Sequence, residues 1–416
     1  MFFALTDEQR ALGETVRAFL AGRFDLTAVR AVFEDTAGDG HPLELWKSVG
    51  EQGWLAVCVP EEFDGLGLGL LDAQVVAREL GAGAVPGPWL PTVLAGEAVR
   101  LAGSDAQRAE LLPRLADGDL VATVALRGAG GAWDASGVAV TARPAPGTVA
   151  GIAAGSNGFG SEGAGGSGEP SDSGVFGGSG GLVGELSGTA SPVEYLGVAD
   201  LVVVAAIEPG PAGAAPGAGE VGLYLLDPGA AGVAVRPLAG PDGTTRLAAL
   251  ELAGARARRL PGSSAAALAD LVRRGALLTA ADQAGVAREA LTRTVHYDRE
   301  RIQFGRPVGS FQALKHQLAD LHVAVTMAEH AVMYAAHALD AGLDDLELAV
   351  AVAKAKASQA ARDATATMIQ YHGGIGYTWE HEAHLFYKRA RRMYGAFGDP
   401  PAHLERVAAL TVDSLT

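Results

Sequence analysis

The sequence predicts a multidomain α+β chain in which helices come first, a β region follows and a helical bundle closes the order. Three observations carry this. The chain has 416 residues, room for two or three domains at about 150 residues each. Apolar residues repeat at helical spacing near both ends. The middle instead holds short apolar runs bounded by Gly and Pro.

The first zone spans residues 1–120. Thr6-Asp7-Glu8-Gln9 is a capping-box pattern, in which the Thr6 hydroxyl and the Gln9 amide satisfy backbone donors at a helix start. Leu12, Val16 and Phe19 then share one helical face. Gly65, Gly67 and Gly69 after Pro60 predict a loop, and Pro86, Pro88 and Pro91 mark a turn between helices.

The second zone, 121–262, reads as β. Leu201–Ile207 and Val221–Leu226 are the clearest strands. Within it, 151–180 is rich in Gly and Ser and almost free of bulky side chains. Such a stretch buries too little surface to offset chain entropy, so a mobile surface insertion is expected. A Gly-rich nucleotide loop is the alternative, but the strand–GxGxxG–helix context is missing.

The third zone, 263–416, is helical. Leu277, Ala281, Ala284, Ala287, Leu291 and Val295 form one apolar seam; Leu314, Leu318, Leu321, Val325, Ala328 and Val332 form a second, and Leu346 through Ala364 a third. Their length and their Gly/Pro boundaries favour bundle core over coiled coil.

Composition excludes several classes. With 32 Lys+Arg against 48 Asp+Glu, the formal charge is −16, which argues against sequence-independent nucleic-acid binding. The one cysteine, Cys58, forms neither an intramolecular disulfide nor a Cys-rich zinc site, and no metal is expected. The start of the chain lacks a basic, signal-length apolar leader, and no stretch is apolar for long enough to span a bilayer. A soluble cytoplasmic protein, without membrane contact, is the expectation.

Two segments stand out chemically. Arg301-Ile302-Gln303-Phe304-Gly305-Arg306 through Phe311-Gln312 joins two long helices, and Gln370-Tyr371-His372-Gly373-Gly374-Ile375-Gly376-Tyr377-Thr378 follows a third. Arg301 offers a planar donor fork for phosphate oxygens. Phe304 offers a stacking face, and Gln312 an amide for a base or ribose. Gly373, Gly374 and Gly376 permit close backbone approach and free N–H groups for an anion. Taken singly, each segment also reads as an ordinary connecting turn, with Gly as C-caps and Phe304 as core.

Taken together, R-x-x-F-G-x-x-x-x-x-F-Q and Q-x-x-G-G-x-G-Y-T resemble the acyl-CoA dehydrogenase family of flavoproteins. Leu5-Thr6-Asp7-Glu8-Gln9-Arg10 and Gly53-Trp54 through Val59-Pro60-Glu61-Glu62-Phe63 are similar to its N-terminal domain. Asp242-Gly243-Thr244-Thr245-Arg246-Leu247 resembles a form frequent in actinobacterial members. The resemblance implies an N-terminal helical domain, a middle β-barrel-like domain and a C-terminal four-helix bundle that binds FAD and oligomerises. FAD then lies across a subunit interface, with its adenosine and pyrophosphate half on the partner's bundle. Arg301, Phe304, Gln312, Gln370, Gly373 and Gly374 match those positions. Dimers or tetramers are implied, with an acyl-CoA or acyl-carrier thioester as substrate and an electron-transferring flavoprotein as acceptor. Lys388-Arg389-Ala390-Arg391-Arg392 is expected to be a solvated or interface face, with phosphate contact as the alternative.

The family reaction removes the α-hydrogen of an acyl thioester as a proton and the β-hydrogen as hydride, so it needs a carboxylate base. The family usually places a Glu in a turn near the C-terminus. Anchored on Ala390, Gly398 and Arg406, that turn reads Ala396-Phe397-Gly398-Asp399, which puts Phe397 at the base position. A branched-chain subgroup places Glu on the first bundle helix, where this chain has Gly275. Asp282 and Asp399 are the nearest acids; a helix-surface acid and a capping residue are their plainer roles. The loops that touch the flavin ring in the family correspond to Leu126–Gly131 and Ser191–Leu196, which lack the usual donors. Four readings follow: a subunit sharing FAD with a base-bearing partner in an α2β2 assembly on steroid or other bulky acyl thioesters, a self-sufficient dehydrogenase with an unconventional acid, a related flavin monooxygenase, and a non-catalytic structural subunit.

Overall fold

The computed structural model describes residues 4–145, 182–210 and 219–412; the Gly/Ser-rich stretch at 151–180 lies outside them. Six helices come first: α1 (Asp7–Arg23), α2 (Leu26–Glu34), α3 (Leu43–Glu51), α4 (Leu70–Ala82), α5 (Trp89–Ala102) and α6 (Asp105–Ala116). The Thr6–Gln9 capping box forms in both directions, and Ser104 with Gln107 builds a second at the start of α6.

Seven strands follow: β1 (Ala122–Ala125), β2 (Val140–Pro144), β3 (Val183–Glu194), β4 (Leu201–Ile207), β5 (Val221–Leu226), β6 (Val233–Leu238) and β7 (Leu247–Arg259). The pairing runs β4-β2-β3-β7-β5 and returns from β5 to β4, which closes a barrel; β1 adds to β4 in parallel and β6 adds to β7. The run Leu201-Val202-Val203-Val204 is apolar without alternation because β4 is buried on both faces. Val202 and Val204 fill the barrel, while Leu201 and Val203 join the main core shared with the helices.

The chain ends in α7 (Ala265–Glu300), a small hairpin of β8 (Ile302–Gln303) and β9 (Arg306–Pro307), α8 (Gln312–Ala341), α9 (Leu346–Tyr371), α10 (Ala383–Met393) and α11 (Pro400–Thr411). α7, α8 and α9 pack on one another, α10 and α11 pack on α9, and α4 packs on α7. Gly342, at φ +61°, ends α8 in the left-handed conformation that suits glycine. The first seam is buried from Leu277 to Leu291, but Leu314 and Leu318 of the second are only half-buried, so the first turns of α8 stand clear of the core. Farther along α8, Val323, Met327 and Tyr334 form an exposed apolar stripe. No helix among the described residues is long and apolar enough to cross a membrane.

Candidate functional site

A cavity of about 230 Å³ lies between α5, the start of β1, the end of β3 and the turn that follows α10. Leu94, Leu126 and Leu247 make its apolar wall, and Arg127, Pro192 and Glu194 bring to it the two loops expected near a flavin ring. Phe397 closes one side. It sits on a tight turn, at φ +55° with Gly398 at +100°, and its carbonyl accepts from His403 Nε2 at 2.9 Å. The Trp133 ring stacks on Phe397 at 4.5 Å and 28°. Arg127 lies over the Trp133 ring at 4.3 Å, and Trp133 Nε1 donates to Gly395 O at 3.3 Å. On its far side Phe397 meets Gly275, where a Cβ would lie within 2.6 Å of three ring carbons. The two positions at which the resemblance expects a carboxylate therefore touch, and neither carries one.

The two acids considered in their place are both engaged. Asp282 is buried rather than a surface acid, and it accepts from Arg389 Nη2 at 2.5 Å and Nε at 3.1 Å. Asp399 caps α11, accepting from the Ala402 N–H at 3.0 Å. The expectation of a solvated face at 388–392 needs correcting, since Arg389 and Arg392 both point inward. Arg392 pairs with Asp242 at 2.8 Å and Glu194 at 2.6 Å. Burial works against the Asp242 charge, but Arg392 and Arg389 outweigh it and hold that carboxyl below the ordinary range. This network ties the bundle to the barrel. Glu194 is the one acid lining the cavity among the described residues, and Arg392 occupies it.

Behind the Phe397 turn lies a group that the sequence reading passed over. Lys354 of α9 is fully buried. Its Nζ donates to Ser358 Oγ at 2.9 Å and to the Met393 and Tyr394 carbonyls at 3.3 Å each. Ser358 spends its own proton on Gln283 Oε1 at 2.7 Å. Lys354 thus faces three acceptors and needs three protons, the ammonium form. Burial opposes that charge and pushes its pKa down to about 7.

Both loop segments lie at the other end of the bundle, where the second packs on the last turns of α7 and the start of α8. Tyr297 stacks on His372 at 4.3 Å and donates to its carbonyl at 3.3 Å, and Tyr371 donates to Gln317. The β8–β9 hairpin presents Phe304 at φ +54° and 90% exposure, so its reading as a core residue does not hold. Arg301, Gln312, Gln370, Gly373 and Gly374 are exposed as well. Gly373 and Gly374 face open space, and Arg301 makes no ion pair among the described residues. Tyr377, 89% exposed, adds a second bare ring. Just beneath, on the last turn of α7, Asp298 is buried with neither carboxylate oxygen partnered. Burial lifts its pKa to about 6.

A helical domain, a closed barrel and a helical bundle bearing two exposed loops make up the architecture that the resemblance to flavin-linked acyl thioester dehydrogenases implies. Residues 6–119 match the acyl-CoA dehydrogenase N-terminal domain and residues 266–410 the C-terminal domain. The chain is 32% identical to the acyl-CoA dehydrogenase IpdE2 of Mycolicibacterium smegmatis, covering 97% of this chain and 99% of that protein. It is 32% identical to the acyl-CoA dehydrogenase FadE34 of Mycobacterium tuberculosis, over 99% of this chain but 49% of that longer protein. Among solved structures, the ChsE4-ChsE5 complex of M. tuberculosis is similar at TM-score 0.81 and 27% identity, over 99% of each chain. A variant of the Tcur3481-Tcur3483 steroid ACAD is similar at 0.80 and 28%, over 98% of this chain and 99% of that one. The chain belongs to the acyl-CoA dehydrogenase family.

Proposed function

We propose that this chain is a subunit of an FAD-dependent acyl-CoA dehydrogenase, and that it grips the nucleotide tail of an FAD whose ring end and catalytic base lie in a partner chain. Family membership supports the reaction, α,β-dehydrogenation of an acyl thioester. When bound, FAD supplies the hydride acceptor. This chain's part is to hold and orient. The Arg301 fork takes phosphate oxygens, the Phe304 ring stacks, and the Gln312 and Gln370 amides address base or ribose. The N–H groups at Gly373 and Gly374 are approachable because no side chain covers them.

One observation carries the reading: an open tail cradle and a cavity without a base sit at opposite ends of a single helix. From Gly275 to the end of α7 at Glu300, a rise of 1.5 Å per residue gives about 38 Å, beyond the span of one dinucleotide. The cradle therefore serves another chain's cavity. In this chain's own cavity, abstraction of an α-proton finds no acceptor, because Phe397 has no lone pair to offer and Asp282, Asp399 and Glu194 are committed elsewhere. The stripe of Val323, Met327 and Tyr334 and the bare rings of Phe304 and Tyr377 are the faces for that partner. The ChsE4-ChsE5 complex, built of two named components, and the steroid ACAD among the neighbours support a hetero-oligomer acting on a bulky acyl-CoA. An electron-transferring flavoprotein is the family's usual acceptor.

The test is Arg301→Ala in the co-expressed complex. Losing a charged phosphate contact lowers FAD retention by about 10- to 100-fold in affinity. Unchanged flavin content and turnover would show that this chain does not hold the cofactor.

A further inference from the structure

The proposed division of labour leaves the cavity beneath Trp133 without an occupant, and one of the two guanidinium groups that line it lacks a direct counter-ion. Arg392 is neutralised by Asp242 and Glu194. Among the described residues Arg127 has no carboxylate partner: its Nη1 donates to Gly131 O at 2.5 Å, while its Nε is buried with no partner. A guanidinium carries five donors in a planar fork, and among the described residues the Gly131 carbonyl is the one protein acceptor recorded for them. Burial, with nothing to offset it, lowers the Arg127 pKa. The plane of the fork is fixed, because Arg127 lies on Trp133, and Trp133 is held in turn by the Phe397 ring and the Gly395 carbonyl.

We infer that this cavity is a binding site for a small aliphatic or aromatic monocarboxylate, with Arg127 receiving the carboxylate and the leucine wall receiving the apolar body. The inference rests on the reading that this chain's cavity does not house a flavin ring. An unpaired cation beside an apolar hollow is costly until an anion joins it. A carboxylate matches the guanidinium fork two oxygens to two N–H groups. A thioester carbonyl carries no charge and leaves the guanidinium without a direct counter-ion. A phosphate brings a second charge into a pocket whose other cation is already spent. The rest of the lining, Leu94, Leu126 and Leu247 with Phe397, suits a hydrocarbon body.

The experiment is calorimetric titration of the co-expressed complex with octanoate, with octan-1-ol and inorganic phosphate as controls and flavin counted in the same samples. Octanoate is expected to bind once per copy of this chain, about 10- to 100-fold tighter than octan-1-ol, the range of a charged hydrogen-bonded pair. Arg127→Met removes that advantage and leaves octan-1-ol binding alone; Arg127→Lys keeps part of it. Octanoate sites on the partner persist in Arg127→Met and are subtracted. Should Arg127→Met fail to assemble, Leu94→Phe, which narrows the cavity and keeps the charge, must weaken octanoate. Equal binding of octanoate and octan-1-ol, phosphate binding as well as octanoate, or undiminished octanoate binding in both variants overturns the inference. Octanoate displacing flavin from this cavity overturns the inference together with the proposed function. Failure of the wild-type complex to bind octanoate, at the expected flavin count, overturns the inference alone.

Discussion

Phe397 occupies the space that Gly275 leaves: a Cβ at 275 would stand 2.3 Å from the Phe397 Cε1. A ring at one position and a side chain at the other exclude each other. Gly275→Ala is therefore expected to cost about 1–3 kcal/mol by overpacking. In a Phe397→Leu background that cost shrinks, because the ring edge is gone. A double-mutant cycle of unfolding free energies reads the coupling; additive penalties would mean that the two residues do not compete. Phe397→Glu alone is expected to bring no dehydrogenase activity to the isolated chain, as an assay with acyl-CoA and an artificial acceptor would report.

Asp282 is a structural counter-ion in this account. Asp282→Asn strands a buried Arg389 guanidinium and should destabilise by about 3–5 kcal/mol. Turnover of the surviving complex should keep the shape of its pH profile. If Asp282 were the base, turnover would collapse and the denaturation midpoint would hold.

Lys354 sets a pH dependence of definite sign. Its folded pKa, near 7, lies below the ordinary 10.5, so between these values the unfolded chain binds more protons. Stability contributed by this site thus rises with pH across that window, with a slope of up to about 1.4 kcal/mol per pH unit. Below pH 7 the full cost of burying the ammonium remains. Lys354→Met lacks that slope, although it leaves three acceptors unpartnered and is less stable in level. Parallel stability curves from pH 7 to 10 for the two proteins would contradict the assignment.

Asp298 predicts the opposite trend at lower pH. Burial raises its folded pKa from 3.8 to about 6, so the folded chain keeps a proton that the unfolded chain has lost. Stability falls as pH rises through that interval and stays lower above it. Asp298→Asn should stabilise the chain at pH 7, and the gain should vanish near pH 4. A variant less stable than the wild type at pH 7 would reveal a partner for this carboxylate.

Local signals were readable where their causes are local. The Thr6–Gln9 box, the Gly/Pro boundaries and the doubly buried Leu201–Ile207 run each depend on neighbours within a few residues, and each appears in the structure. The two loop segments drew notice because their residue types are unusual for helix connections, and the structure leaves Arg301, Phe304, Gln312, Gln370, Gly373 and Gly374 exposed. Arg389 and Arg392 were misread because their partners Asp282, Asp242 and Glu194 lie 107, 150 and 198 residues away, beyond any periodicity. The Arg127–Trp133–Phe397–Gly275 stack is likewise assembled from distant stretches. Lys354 did leave a trace: it stands among Val350, Ala351, Ala357 and Ala361, a lone charge on the buried face of a helix.

The most direct measurement is native mass with a flavin count, made on the chain by itself and on the chain co-expressed with a base-bearing family member. The chain alone is expected to give a colourless, inactive preparation, and the combined chains a hetero-oligomer holding one FAD per pair of unlike chains. A yellow homo-oligomer that oxidises acyl-CoA unaided would contradict the proposed function.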